Sequence, residues 1–259
     1  MSLTQDEIKR YARHLVLKDI GGPGQQRLKA ARVLLVGAGG LGAPAALYLA
    51  AAGIGTLTLM DDDAVSLSNL QRQVLFGSDD IGQPKTVVAA KALKRLNPHV
   101  TIKTCAERFS GDSAALVRDH DLVLDATDNF AARFAINAAC HGAGVPLISG
   151  AAIGFDGQLA SFDSRGRKTA CYRCLVPGSA QDGETCESMG VIGALTGVIG
   201  AMMALEAVKI ITGAGQPLFG RLMVFDGLGG RCRTLELPRD PACPVCGGDQ
   251  SRDLRDKSP

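Results

Sequence analysis

Four cysteines fall in two pairs, Cys171 and Cys174 in CYRC and Cys243 and Cys246 in CPVC. Two such knuckles supply the four thiolates that bind tetrahedral Zn²⁺, and a four-sulfur site has no open position for water, so its role is structural. CxxC also serves redox chemistry, but neither pair lies in the βαβ context which that chemistry uses. A second group is rich in glycine. Gly37, Gly39 and Gly42 are spaced GxGxxG directly after the apolar run RVLLV. Between a strand and a helix, such glycines let backbone N–H groups approach a phosphate at the positive end of the helix dipole. Asp61 ends the next apolar run, where a carboxylate can accept hydrogen bonds from ribose hydroxyls. Alone, this pattern says nucleotide; its commonest owner is an NAD-dependent oxidoreductase, and a purely structural turn reads the same way.

The polar residues that follow turn the reading away from hydride transfer. SNLQRQ carries Arg72, GQPK carries Lys85, and DATDN carries Asp128 and Asn129 just past the run DLVLD. In a doubly wound sheet, ligands lie outside the carboxyl ends of the strands, so these segments can converge over the Gly-rich turn. Two cations and an acid suit a triphosphate with Mg²⁺: Arg and Lys offset developing charge, and Asp coordinates the hard metal. No GKS or GKT follows a GxxxxG, so the sequence has no Walker A loop. Attack at the α-phosphate is then the natural chemistry. Cys186, in the polar stretch SAQDGETCESMG, reads equally as a nucleophile or sulfur acceptor and as an incidental loop cysteine. Cys105, Cys140 and Cys232 read as packing residues. His14, His99, His120 and His141 have no ligand spacing and receive no role.

These residues need elements to hold them. Thr4 with Glu7 forms a capping-box pattern, and Ile8, Tyr11, Ala12 and Leu15 share one face of the helix that follows. Lys9, Arg10 and Arg13 then lie on the other side, and GGPG at 21–24 is expected to break the helix. From Arg32 the rhythm is strand, turn, helix: RVLLV, then a helix over 43–52, TLTLM, a helix over 85–96 stopped by Asn97-Pro98, VTIKT, DLVLD and VPLIS. The alternation predicts an α/β fold with a Rossmann-like doubly wound parallel sheet. After Gly150 the pattern predicts antiparallel strands continuing the same sheet, one pair turning at Asp156-Gly157 and another formed by RLMVFD and CRTLEL. One domain over 1–250 is expected: a helical arm (1–24), a nucleotide-binding half (25–150) and a zinc half (151–250), with a disordered tail at 251–259.

The chain has 259 residues, 46% of them hydrophobic, and a net charge of +2. That is enough for one large core and gives no electrostatic reason to expect nucleic acid. The N-terminus does not read as a signal peptide. Residues 188–205 carry no charge and approach the length of a membrane span. Their glycines, with Glu206 and Lys209 continuing the same helix, predict a buried or interface helix instead. A cytoplasmic protein with no membrane partner is expected.

RYARHLVL, VGAGGLG, LSNLQRQ, GQPK, DATDN, VPLISGAAIGFDGQ, CYRC and CPVC occur in an order that closely resembles the MoeB/ThiF family, bacterial relatives of the ubiquitin-activating enzymes. The resemblance implies a homodimer that joins AMP from ATP to the C-terminal glycine carboxylate of a ubiquitin-like sulfur-carrier protein ending in Gly-Gly, releasing pyrophosphate. By motif, Gly40 and the turn glycines would hold phosphate, and Asp61 would bind ribose. Ser68, Asn69, Leu70, Gln71 and Arg72 would line the ATP site. Lys85 would stabilise the α-phosphate transition state, and Asp128, with Asn129 beside it, would bind Mg²⁺. Arg13 matches an arginine supplied by the partner subunit, the CxxC pairs match zinc ligands, and Cys186 matches a loop cysteine that some members use covalently. The rhodanese domain of longer relatives does not follow Cys246, so a separate sulfur donor protein is implied. LSNLQRQ and SGAAIG favour the molybdopterin-synthase branch, for molybdenum cofactor biosynthesis, over the thiamine branch. A non-catalytic carrier-binding protein is the other reading, and the joint presence of Arg72, Lys85 and Asp128 argues against it.

Overall fold

The structure, a computed structural model, describes residues 2–166, 169–178 and 190–248. Thr4 caps α1 (Gln5–Arg10) through the expected box with Glu7. A break at Tyr11 separates α1 from the short α2 (Ala12–Leu15). GGPG does not break a helix. It opens the next one, α3 (Gly21–Ala30), with Pro23 in the first turn, where a missing N–H leaves no intrahelical bond unmade.

The arm is fastened to the body by polar contacts. Glu7 is buried and pairs with Lys29 of α3 at 2.7 Å. Burial pushes the Glu7 carboxyl up, but Lys29 and the N–H and hydroxyl of Thr4 outweigh it and hold the pKa at about 2, against an ordinary 4.5. A folded-state pKa below the unfolded one means this contact stabilises the arm above pH 4.5 and loses that effect as pH falls towards 2. A ¹³C titration of the Glu7 carboxyl should show the low midpoint, and Lys29→Ala should move it back towards 4.5. An ordinary midpoint in the unmodified protein would contradict the docked arm.

Strands β1 (Arg32–Val36), β2 (Thr56–Met60), β3 (Thr101–Cys105), β4 (Leu122–Asp125) and β5 (Leu147–Ile153) are followed by β6 (Asp156–Phe162), β7 (Arg221–Asp226) and β8 (Arg231–Glu236). They form one sheet in the order β3-β2-β1-β4-β5-β6-β7-β8, parallel up to β5 and antiparallel beyond. β1, β2 and β4 are buried along almost their whole length because helices cover both their faces. On one face, α3, α4 (Gly42–Ala52), α5 (Lys85–Leu96) and the final helix α9 (Gly193–Thr212) enclose a core around Leu35, Leu49, Leu57, Leu93 and Ile199. On the other, α6 (Ala114–Arg118), α7 (Phe130–Ala143) and α8 (Tyr172–Leu175) cover Leu34, Val123, Ile136 and Phe162.

Three expectations change. The β5–β6 turn is Gly154-Phe155, with Gly154 at φ +56, while Asp156 and Gly157 already belong to β6. The boundary expected at 150 falls inside β5, so the two halves share a strand. Cys232 is exposed on β8, whereas Cys140 is fully buried as expected. Residues 193–205 of the uncharged stretch belong to α9, a helix long and apolar enough to cross a membrane; it packs here against α4 and β5. An added Cβ on Gly200 would lie 2.3 Å from the Leu41 carbonyl oxygen, so the glycine is what lets α9 lie so close.

Candidate active site

A cleft of about 490 Å³ lies over the carboxyl ends of the parallel strands. It gathers Gly37, Gly39, Gly40, Asp61, Ser68, Gln71, Arg72, Lys85, Asp128 and Asn129 from five separate segments. The expected glycines divide by role. Gly39 and Gly40 line the cleft; Gly37 has φ +91, and a Cβ on Gly42 would sit 1.9 Å from the Gly37 oxygen. Gly42 therefore closes the turn and does not reach the cleft. Asn69 and Leu70 are likewise outside the lining: Asn69 sits in the short 3₁₀ turn Leu67–Asn69 and accepts from Ser66 N at 3.3 Å. Asn129 caps α7 by accepting from Ala132 N at 2.9 Å, so its oxygen is engaged structurally.

The acids of the cleft differ in what holds them. Asp61 accepts from the N–H groups of Ala38 (2.7 Å) and Asp63 (2.9 Å). Burial raises its pKa, with Lys85 and those donors opposing. Asp62 pairs with Arg108 at 3.2 Å, Asp63 pairs with Lys85 at 2.8 Å, and Glu107 lies near the Cys105 thiol, whose pKa burial and that carboxylate raise. Asp128 is the carboxylate with no protein partner among the described residues. A lone carboxylate facing a polar cleft fits a hard divalent cation better than one already held by protein donors. Lys85 starts α5, is only 4% exposed, and donates from both its backbone N–H and its ammonium to Asp63. Arg72 is anchored by its bond to the Ser68 carbonyl at 3.0 Å.

Sequence reasoning missed Arg133, Gln73 and Thr196. All three are buried and line the cleft. Arg133 and Thr196 sit in helices with no motif spacing to mark them, whereas Gln73 ends the SNLQRQ run and only folding shows its side chain buried at the cleft. Arg13 is exposed and lies outside the cleft of its own chain. Its neighbour Tyr11 packs on Gly53 and bonds Asn97, which also reaches the Ala50 carbonyl, all at the C-terminal end of α4. The Gly-rich turn is at the other end of that helix, about 16 Å away for 11 residues. Cys186 lies outside the described residues, as does the tail at 251–259.

A second cavity of about 420 Å³ adjoins the first and shares Asp128, Arg133 and Ala152 with it. Phe130, Tyr172, Leu175, Val176 and Leu222 give it apolar walls.

The four CxxC sulfurs lie within 4.8 Å of one another, with Cys171–Cys243 at 3.6 Å and Cys174–Cys246 at 3.4 Å. Tetrahedral zinc with Zn–S bonds of about 2.3 Å sets sulfurs about 3.8 Å apart, so the cluster is close to the required size. Asn137 Nδ2 (3.7 Å) and Asp240 N (3.4 Å) donate to Cys171 and Cys174, as suits anionic sulfur. The site ties the segment after β6 to the segment after β8. Purified protein should carry one Zn²⁺ per chain, and Cys174→Ser should lower Tm while the surviving folded fraction keeps its nucleotide affinity. Elemental analysis without zinc in freshly reduced protein would overturn the assignment.

The ThiF family profile matches residues 11–245. A sulfur carrier protein adenylyltransferase of Thermus thermophilus is 44% identical over 258 residues, covering 97% of this chain and 95% of that protein. Two Escherichia coli proteins, a molybdopterin-synthase adenylyltransferase and a sulfur carrier protein ThiS adenylyltransferase, are each 46% identical over 246 residues. They cover 95% of this chain and 98% and 97% of their own lengths. Among solved structures, Escherichia coli MccB with ATP superposes with a TM-score of 0.82 at 25% identity, over 94% of this chain and 75% of that one.

Proposed function

Because the chain belongs to the ThiF family, we propose that it adenylates the C-terminal carboxylate of a ubiquitin-like sulfur-carrier protein, using ATP and releasing pyrophosphate. The observation that carries this reading is the junction of the two cavities at Asp128 and Arg133. A nucleotide in the polar cleft and an extended peptide end in the apolar one would meet there. The carboxylate oxygen attacks the α-phosphorus, the bond from that phosphorus to the bridging oxygen breaks, and pyrophosphate leaves with the electron pair. No proton has to move. Lys85 and Arg72 would offset the charge that develops, and Asp61 would hold the ribose. Asp128 would hold Mg²⁺, which supplies charge neutralisation on the phosphates when bound. Hydride transfer would call for none of these cations.

The carrier body would lie beside the second cavity, on the sheet face where Leu222, Val224 and Leu235 share a side with Arg231 and Arg233. The molybdopterin-synthase carrier is preferred on LSNLQRQ and SGAAIG. The equal identity of the two Escherichia coli relatives leaves that preference to experiment. ATP–pyrophosphate exchange against a panel of carriers ending in Gly-Gly is the test. Exchange with one carrier and none without it supports the reading; NAD binding with no exchange would sink it.

A homodimer is part of the same proposal. Arg13 lies outside the lining of its own cleft, and it stands beside the exposed Val16 and Leu17. The exposed Leu67 and Val74 flank Arg72 at the cleft and offer the partner's arm an apolar seat. Mixing inactive Arg13→Ala and Asp128→Ala subunits should restore about a quarter of wild-type activity. Half the dimers are mixed, and one of the two sites in each has both residues. No recovery after proven subunit exchange would exclude action in trans.

A further inference from the structure

Arg133 is only 5% exposed and forms part of the wall common to both cavities. It rises from the first turn of α7, directly after the segment that carries Asp128. Its guanidinium donates to the carbonyl of Thr127, to the carbonyl of Gly150 at 2.9 Å and to Ser149 Oγ at 3.3 Å. Thr127 and Ser149 are themselves joined through Asp125, which accepts from Thr127 Oγ1 at 2.7 Å and from Ser149 Oγ at 2.9 Å. On its far side, the guanidinium lies 6.0 Å from the centre of the Tyr172 ring, next to the zinc ligand Cys171. The peptide before Asp128 is thus bound to β5 twice, once through a buried arginine and once through a buried aspartate.

We infer that Arg133 is a positioning residue for the reaction proposed above. By clamping the Thr127 carbonyl to β5, it fixes where the Asp128 carboxylate stands at the junction of the two cavities. A planar fork with several donors can satisfy three acceptors at once, whereas one ammonium cannot do so with the same geometry. The effect on rate follows from position. A displacement of about 1 Å at a reacting centre costs about a hundredfold.

The inference rests on the carrier-adenylation reading, so its test has one part that needs no carrier. Arg133→Lys keeps the charge and loses the fork, Arg133→Met keeps most of the volume, and Ser149→Ala removes one acceptor while leaving the arginine. For each, ATP affinity is measured calorimetrically against Mg²⁺ concentration, and carrier-dependent pyrophosphate exchange is measured at saturating ATP. Arg133→Lys should raise half-saturating Mg²⁺ about tenfold and lower kcat roughly tenfold to a hundredfold, with KM for ATP moving less than about threefold. Ser149→Ala should move the same two quantities in the same direction by about threefold. A merely structural role would lower Tm and leave both unchanged in the folded fraction, and that result overturns the inference. Should the arginine variants fail to fold, an unchanged Mg²⁺ dependence in Ser149→Ala overturns it alone. Failure of the wild type to exchange with any carrier would refute the functional reading, while the Mg²⁺-dependent binding would still report on Arg133.

Discussion

Asp128→Ala should abolish carrier-dependent pyrophosphate exchange, a loss on the order of a thousandfold or more, in a protein whose Tm is unchanged. The two halves of that result have separate physical origins. The carboxylate lines both cavities, so whatever it holds would stand where the two proposed reactants meet. It has no hydrogen-bond or ion-pair partner among the described residues, so its removal breaks no polar contact with them. The neighbouring acids do not substitute for it, since Asp61, Asp62 and Asp63 are held by backbone N–H groups, Arg108 and Lys85 respectively. Near-normal exchange by the alanine variant would remove the proposed metal ligand and the mechanism with it.

Lys85→Ala is expected to lower kcat for exchange by roughly a hundredfold or more, with a smaller change in ATP affinity. The ammonium is buried at the start of α5 and lines the cleft, where the proposed reaction would build charge on the α-phosphate oxygens. Its partner Asp63 is 58% exposed at the side chain, so losing the lysine leaves an acid that water can still solvate. Stability should therefore fall by little. A variant that only binds ATP more weakly, with kcat intact, would make Lys85 a binding residue and move the source of transition-state stabilisation to Arg72 or the partner's arm.

The parallel half of the sheet was legible because its apolar runs, Gly-rich turn and polar loops recur in the order a doubly wound fold demands. Capping by Thr4 and the stop at Asn97 were local signals with local causes. The failures came where local signals competed with tertiary contacts. GGPG reads as a breaker, yet Ile20 and Thr212 pack around Gly24 and the segment closes into a helix. Asp156-Gly157 is a common turn pair, but Gly154 supplies the positive φ two residues earlier. At the site, most motif residues on loops beyond strand ends line the cleft, while Asn69 and Leu70 close a local 3₁₀ turn outside its lining. Arg133 was missed because a lone arginine in an Ala-rich helix has no sequence mark; only the carbonyls of Thr127 and Gly150, brought together by folding, give it meaning.

The sharing of β5 by the two halves has a mechanical consequence. Its first residues pair in parallel with β4 on the nucleotide side, and the whole strand pairs with β6 on the other. There is no seam along which the halves could swing. Turnover has to be accommodated by loops and side chains over a rigid floor, and heating should give a single calorimetric peak with van't Hoff and measured enthalpies in agreement. A gene cut at codon 150 would divide a strand, so neither fragment could be expected to fold unless the other was present to complete it.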